Sequence, residues 1–137
     1  MLTPITGIPY PENTYATAPG SATAWGGRFP SLILFFKILE IIRSEGIQAA
    51  TGNYPGSQWA YASLRVLRAL EETGCRITVE GMDNIDRAEG PCVFIGNHMS
   101  TLETLVLPIF IQPRRDVTFV VKESLLKTPF FQHVLKS

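Results

Sequence analysis

The 137-residue chain has no excess of charge of either sign: twelve Lys plus Arg are balanced by twelve Asp plus Glu. A nucleic-acid-binding protein normally presents a basic face, so the balance gives no support for that partner. Cysteine is scarce. Cys75 and Cys92 are the only two, too few for a disulfide framework and without the spacing of a metal site. Each stands at the start of a predicted strand, and both read as buried free thiols in a reducing compartment. Residues 1–27 hold no Lys or Arg and no apolar stretch beside a cleavage site, so no secretory signal is expected. No Asn-x-Ser/Thr acceptor occurs. Also lacking is a run of about 20 apolar residues, the length a spanning helix requires. A Gly-x-Ser-x-Gly segment is absent too, which leaves a serine hydrolase without its nucleophile elbow.

What is present divides the chain into three. Residues 1–30 are rich in Pro, Gly, Thr and Ala and read as a flexible tail, because they offer little apolar surface to offset ordering entropy. Residues 31–73 read as a helical, membrane-associated segment. In its first helix Leu32 to Ile42 are mostly apolar, with Lys37, Glu40 and Arg43 as a narrow polar stripe. Ser31 is placed to cap that helix and Gly46 to end it. A second helix is expected over 58–72, after Pro55 and before Gly74. Trp59 and Tyr61 suit a bilayer interface, since each ring has a polar end. Two packings fit the pair equally: helices covering a sheet, or a hairpin facing a membrane.

From residue 74 the period changes to two. Residues 76–80 alternate as a half-buried strand does, 92–95 are apolar throughout as in a doubly covered strand, and 117–121 read as a third. Helices are expected at 101–111, at 123–127, and from Thr128-Pro129 onward. The fold class is therefore α/β: a helical pair, then the first half of a mixed or parallel sheet with crossover helices.

The chemistry concentrates in Gly96-Asn97-His98-Met99-Ser100-Thr101-Leu102-Glu103. A buried strand ends, a histidine follows and a helix begins, and the carboxyl ends of strands are where open α/β sheets hold ligands. Positions five apart on a helix point about 140° away from each other. His98 and Glu103 therefore meet only if His98 lies in the turn before the helix, which Ser100 as N-cap permits. Glu103 would then fix the tautomer of His98 and leave one ring nitrogen free as a base. Ser100-Thr101-Leu102-Glu103 equally fits a capping box, in which Glu103 reaches back to the N-cap amide. His133 reads as structural.

These residues and their flanks make 76–137 resemble the lysophosphatidate, or PlsC-type, glycerolipid acyltransferases. That family's first block is a histidine and an aspartate separated by four residues, usually after Asn, and Asn97-His98 to Glu103 looks like it. Arg76-Ile77-Thr78-Val79-Glu80-Gly81-Met82-Asp83-Asn84-Ile85 resembles the opening strand and turn. Gly90-Pro91-Cys92-Val93-Phe94-Ile95-Gly96 resembles the strand into the motif, and Val120-Val121-Lys122-Glu123 to Phe131 the segment after the third strand.

The resemblance implies transfer of a fatty acyl group from acyl-CoA or acyl-carrier protein to a lysophospholipid or glycerol-phosphate hydroxyl. His98 is then the general base, Glu103 its orienting acid, and Asn97, Ser100 and Lys122 substrate contacts. No metal or cofactor is implied, and the expected location is the cytoplasmic face of a membrane. Three departures stand out. Glu103 replaces the usual Asp, Gln132 stands where Gly commonly follows, and the later Arg-bearing strand and Glu-Gly-Thr block are not in the 137 residues. The expectation from the last is a partial domain with unpaired sheet edges and little activity of its own. A rival expectation is a non-catalytic membrane-binding module with a degenerate site.

Overall fold

The computed structural model describes residues 13–23, 28–52, 54–97, 99–120 and 122–123. The elements run β1 (Tyr15–Ala16), α1 (Pro30–Ala49), α2 (Gly56–Glu72), β2 (Thr78–Val79), α3 (Asp83–Arg87) and α4 (Leu102–Ile111). Helix α2 is the centre, with α1 against one side and α4 against the other. Its buried residues include Ala60, Ser63, Leu67 and Leu70 at helical spacing, and Ala62, Val66 and Ala69 round the other flank. Small residues at these positions let two neighbours approach one helix. One apolar cluster joins Tyr15, Ala60, Leu67, Met82, Ile109 and Phe110, and a second joins Ile41, Val66 and Leu70.

Two carboxylates lie inside this packing. Glu45 of α1 takes Arg65 Nη1 at 2.9 Å, the Gln58 amide at 2.9 Å and the Tyr54 hydroxyl at 3.1 Å. Burial and then the Glu45 charge hold the Tyr54 phenol well above its ordinary value. Glu71 of α2 takes Arg68 Nη1 at 2.8 Å and the Tyr15 hydroxyl. Buried charges cost several kcal/mol unless paired and hydrogen-bonded, and both of these are.

Residues 13–23 correct the expectation of a flexible tail. Tyr15 is buried, its ring 5.5 Å from that of Phe110, and it pairs with Val79 in an antiparallel ladder that matches Ala16 to Thr78. Thr17 N–H donates to Ile77 O, and Thr23 N–H to Glu72 O, both at 2.9 Å. The physical reason is local. One aromatic ring with a satisfied hydroxyl anchors a segment whose average composition promises nothing.

The sheet also departs from expectation. Among the described residues the two strands are β1 and β2, and they are antiparallel. Of 76–80 only Thr78–Val79 is paired, and neither 92–95 nor 117–120 forms a ladder; Val121 lies outside the described residues. Val93 is 85% exposed, Ile95 93% and Val120 fully exposed, because strand-forming side chains still need a neighbour to pair with. Cys75 and Cys92 are exposed rather than buried for the same reason. The α/β class stands; a parallel sheet is not seen among these residues.

Helix α1 starts at Pro30 in the first helical position and not from a Ser31 cap, and it runs through buried Gly46 to Ala49. Its charges are drawn inward, Lys37 to Glu72 and Glu40 to Arg65. Its outer arc of about 100° carries Leu32, Phe35, Phe36 and Leu39, all about half exposed, with Arg43 one turn further on. No described helix is long and apolar enough to cross a membrane. The start of α2 is a close approach. A Cβ on Gly56 would collide with the side chain of Gln112, which accepts from Val117 N–H and donates to Asp116, each at 3.0 Å. The helices expected at 123–127 and beyond Thr128 fall largely outside the described residues, as do Gln132 and His133.

Burial first, then the bond to Glu71, pushes the Tyr15 hydroxyl up to about 12 from 10.0. A raised folded-state value means a contribution complete below pH 10.0 and lost as pH climbs toward about 12. Alkaline unfolding followed by circular dichroism should therefore begin in that window. Tyr15→Phe should lower stability at pH 7 by about 1–3 kcal/mol, since it leaves one oxygen of buried Glu71 short of a donor.

Candidate active site

Ser100 and Glu103 are brought together at the start of α4. The Ser100 hydroxyl oxygen accepts Leu102 N–H at 3.1 Å. Glu103 Oε1 accepts Met99 N–H and Ser100 N–H, each at 2.9 Å, and Oε2 accepts Ser100 N–H at 2.9 Å and the Ser100 hydroxyl at 3.0 Å. Glu103 reaches back to the Ser100 amide as in a capping box, while the Ser100 oxygen takes the Leu102 amide in place of that of Glu103. The arrangement has a chemical consequence as well. The carboxylate is folded over the two amides that follow position 98, and it is fixed from both oxygens. Glu103 is held below the usual carboxylate range by its own backbone amide first, then by the Ser100 hydroxyl and the Ser100 and Met99 amides. A carboxylate kept ionised and aimed in this way is suited to orienting an adjacent donor.

His98 lies outside the described residues. Asn97 and Lys122 are exposed. Lys122 follows Phe119, whose ring packs 5.0 Å from that of Trp59 at the start of α2. Gly56, at that same end, abuts Gln112 just past the last residue of α4. The Phe119 anchor therefore belongs to the opposite end of α4 from Glu103.

Beside Glu103 a cleft of about 360 Å³ opens between β2, α3 and α4. Val79, Ile85, Phe94, Val106 and Phe110 make its walls apolar, with Glu103 and Glu80 as the charged exceptions. Sequence reasoning passed over Arg115, which donates to carbonyls on the near side of this cleft: Ile85 O at 2.7 Å, Gly90 O at 2.9 Å and Ala88 O. The one available signal was an arginine pair, Arg114-Arg115, directly after a predicted helix.

Comparisons with known proteins agree with this segment. Residues 76–137 match the model of the family described as Acyltransferase. The chain is 43% identical over 73 residues to a 1-acyl-sn-glycerol-3-phosphate acyltransferase of Pseudomonas aeruginosa. That match covers 53% of this chain and 26% of the relative, so it spans about a quarter of the relative's length. No solved structure matches significantly. Both named matches concern acyl transfer. Residues 76–137 are thus similar to the acyltransferase family, and the similarity to this relative is to an enzyme of the PlsC type.

The depressed value for Glu103 gives a signed prediction. Its bonds to Met99 and Ser100 contribute fully above pH 4.5, the ordinary value, and are lost as pH falls through the lower folded value. Amide resonances of Met99 and Ser100 should hold constant from neutral pH down to that point and move together below it. Glu103→Gln should abolish the movement.

Proposed function

We propose that the protein transfers a fatty acyl group from acyl-CoA or acyl-carrier protein to the hydroxyl of a lysophospholipid-like acceptor at a membrane surface. The observation that carries this is the family match across Asn97 to Glu103, together with a carboxylate folded over the backbone next to His98. In the proposed reaction His98 takes the proton of the acceptor hydroxyl as its oxygen attacks the thioester carbonyl. The tetrahedral intermediate collapses, the carbon–sulfur bond breaks, and the leaving thiolate receives the proton from the imidazolium. Glu103 orients the ring. Asn97 and Lys122 are candidate contacts for anionic parts of the substrates, while the Ser100 hydroxyl and the Met99 and Ser100 amides are engaged by Glu103.

General-base catalysis contributes about 10²- to 10⁴-fold. In the native protein His98→Ala should cut conversion of labelled lysophosphatidate by at least about 10²-fold while leaving the far-ultraviolet circular dichroism unchanged. Undiminished transfer would end the acyltransferase reading for this site. The parallel-sheet expectation also stays a proposal. Its support is the exposure of Val93, Ile95 and Val120 on segments that resemble the family's strands.

A second reading, a membrane-binding module, is favoured by one specific observation and is compatible with the first. The outer arc of α1 exposes Leu32, Phe35, Phe36 and Leu39, while the acids of the helix turn toward α2. A helix lying in the interface of the cytoplasmic leaflet would bury that arc and set Arg43 among lipid phosphates. The chain should co-sediment with phosphatidylcholine vesicles and more strongly when phosphatidylglycerol is included. Phe35→Glu with Phe36→Glu should abolish binding to both, and Arg43→Glu should remove only the preference for the anionic lipid. Binding unaffected by the Phe substitutions would exclude this face.

A further inference from the structure

The cleft beside Glu103 draws its walls from different parts of the fold. Val106 and Phe110 of α4 stand on one side, and Ile77, Val79 and Met82, from β2 and its flanks, on the other. The second wall has little of its own to hold it. Its strand is two residues long, and a two-stranded ladder is marginal without further packing. It is fastened by a segment that precedes both α1 and α2, since residues 13–17 run antiparallel beside 77–83. Thr17 N–H donates to Ile77 O at 2.9 Å, and the Thr17 hydroxyl donates to the same oxygen at 3.3 Å and accepts Ile77 N–H at 2.9 Å. Ala16 and Tyr15 pair with Thr78 and Val79. Asn13 closes the far end: its carbonyl accepts Met82 N–H at 3.1 Å and its side-chain oxygen accepts Asp83 N–H at 3.2 Å.

Tyr15 joins this attachment to the other wall by direct contact. Its backbone is in the ladder with Val79, its ring lies 5.5 Å from that of Phe110, and Met82 shares the same apolar cluster. Its hydroxyl donates to Glu71 of α2, with Arg68 Nη1 3.5 Å away. We propose that residues 13–17 are a clasp, with Tyr15 as its pin, that fixes the Ile77–Met82 wall against α4 and so sets the width of the cleft open to substrate. The cleft is then completed from 60 residues upstream of Ile77, outside the stretch that matches the acyltransferase family. The bearing of the clasp on substrate rests on the acyltransferase reading; its hold on the wall does not. The residue type follows from what it meets, a ring for Phe110 and Met82 and a donor for a buried carboxylate, and a phenylalanine supplies only the first.

A general contribution to stability would act differently, and Tyr54 provides the comparison. Its hydroxyl donates to buried Glu45 at 3.1 Å, as that of Tyr15 does to buried Glu71, yet it does not line the cleft. The test is native-state hydrogen exchange of the 137-residue chain, with nuclear Overhauser effects read across the cleft. Tyr15→Phe should speed exchange at Ile77, Met82 and Asp83 by about tenfold relative to Leu67 and Ala69 of α2. It should also weaken the Overhauser effects from Val79 and Met82 to Val106 and Phe110. Asn13→Ala, which leaves Tyr15 and Glu71 alone, should loosen Met82 and Asp83 in the same way at a nearly unchanged thermal midpoint. Tyr54→Phe should lower the midpoint about as far as Tyr15→Phe and alter neither readout. Equal acceleration of all amides in Tyr15→Phe, or full cross-cleft effects in both Tyr15→Phe and Asn13→Ala, would overturn the clasp. In the native protein Tyr15→Phe should raise KM with little change in kcat, and Tyr54→Phe should change neither. An unchanged KM in Tyr15→Phe would overturn the part of the clasp in transfer. Full activity in His98→Ala would instead sink the acyltransferase reading, with the exchange pattern still as expected.

Discussion

Everything described hangs on α2 holding two buried carboxylates in place with its own arginines. Arg65 meets Glu45 of α1, and Arg68 meets Glu71 within α2, where Tyr15 supplies the second donor. Removing a partner from such a group exposes an uncompensated charge to the interior, so these contacts dictate orientation even where their net energy is small. Apolar packing against α1 and α4 supplies the driving force. The charges decide which way round the helices lie. They also explain why α1 shows greasy residues to the outside: its polar flank is spent on α2.

This constraint marks the limit of what could be read along the chain. Helices α1, α2 and α4 were legible because their periodicity is local, and the starts of α2 and α4 follow the Pro55 and Ser100 signals, whereas the short α3 was not expected. Tyr15 was not legible, since its value lies in a carboxylate 56 residues away. The inward turn of Lys37 and Glu40 was hidden for the same reason, their partners being on another helix. Strand propensity at 92–95 and 117–120 was read correctly as composition, yet pairing is a property of two segments, and among the described residues these find no ladder.

The site shows the same division. Residue spacing offered two roles for Glu103, cap and orienting acid, and treated them as rivals. The geometry of the box removes the opposition, because the bonds that start the helix also fix the carboxylate next to position 98. In the proposed reaction a helix start and an orienting acid would share one set of hydrogen bonds. At the far end of α4 Arg115 gathers the carbonyls of Ile85, Ala88 and Gly90. It was invisible beforehand because all its partners are backbone carbonyls, and carbonyls carry no side-chain signature.

The tight contact at Gly56 has a consequence of its own. Gln112 fills the space a methyl group would need there, and its amide also organises the chain at Asp116 and Val117. Positions 56 and 112 therefore form a matched small–large pair. Bulk gained at one must be surrendered at the other, and a mismatch would be transmitted to the stretch leading toward Lys122, with no contact between that lysine and the residue replaced.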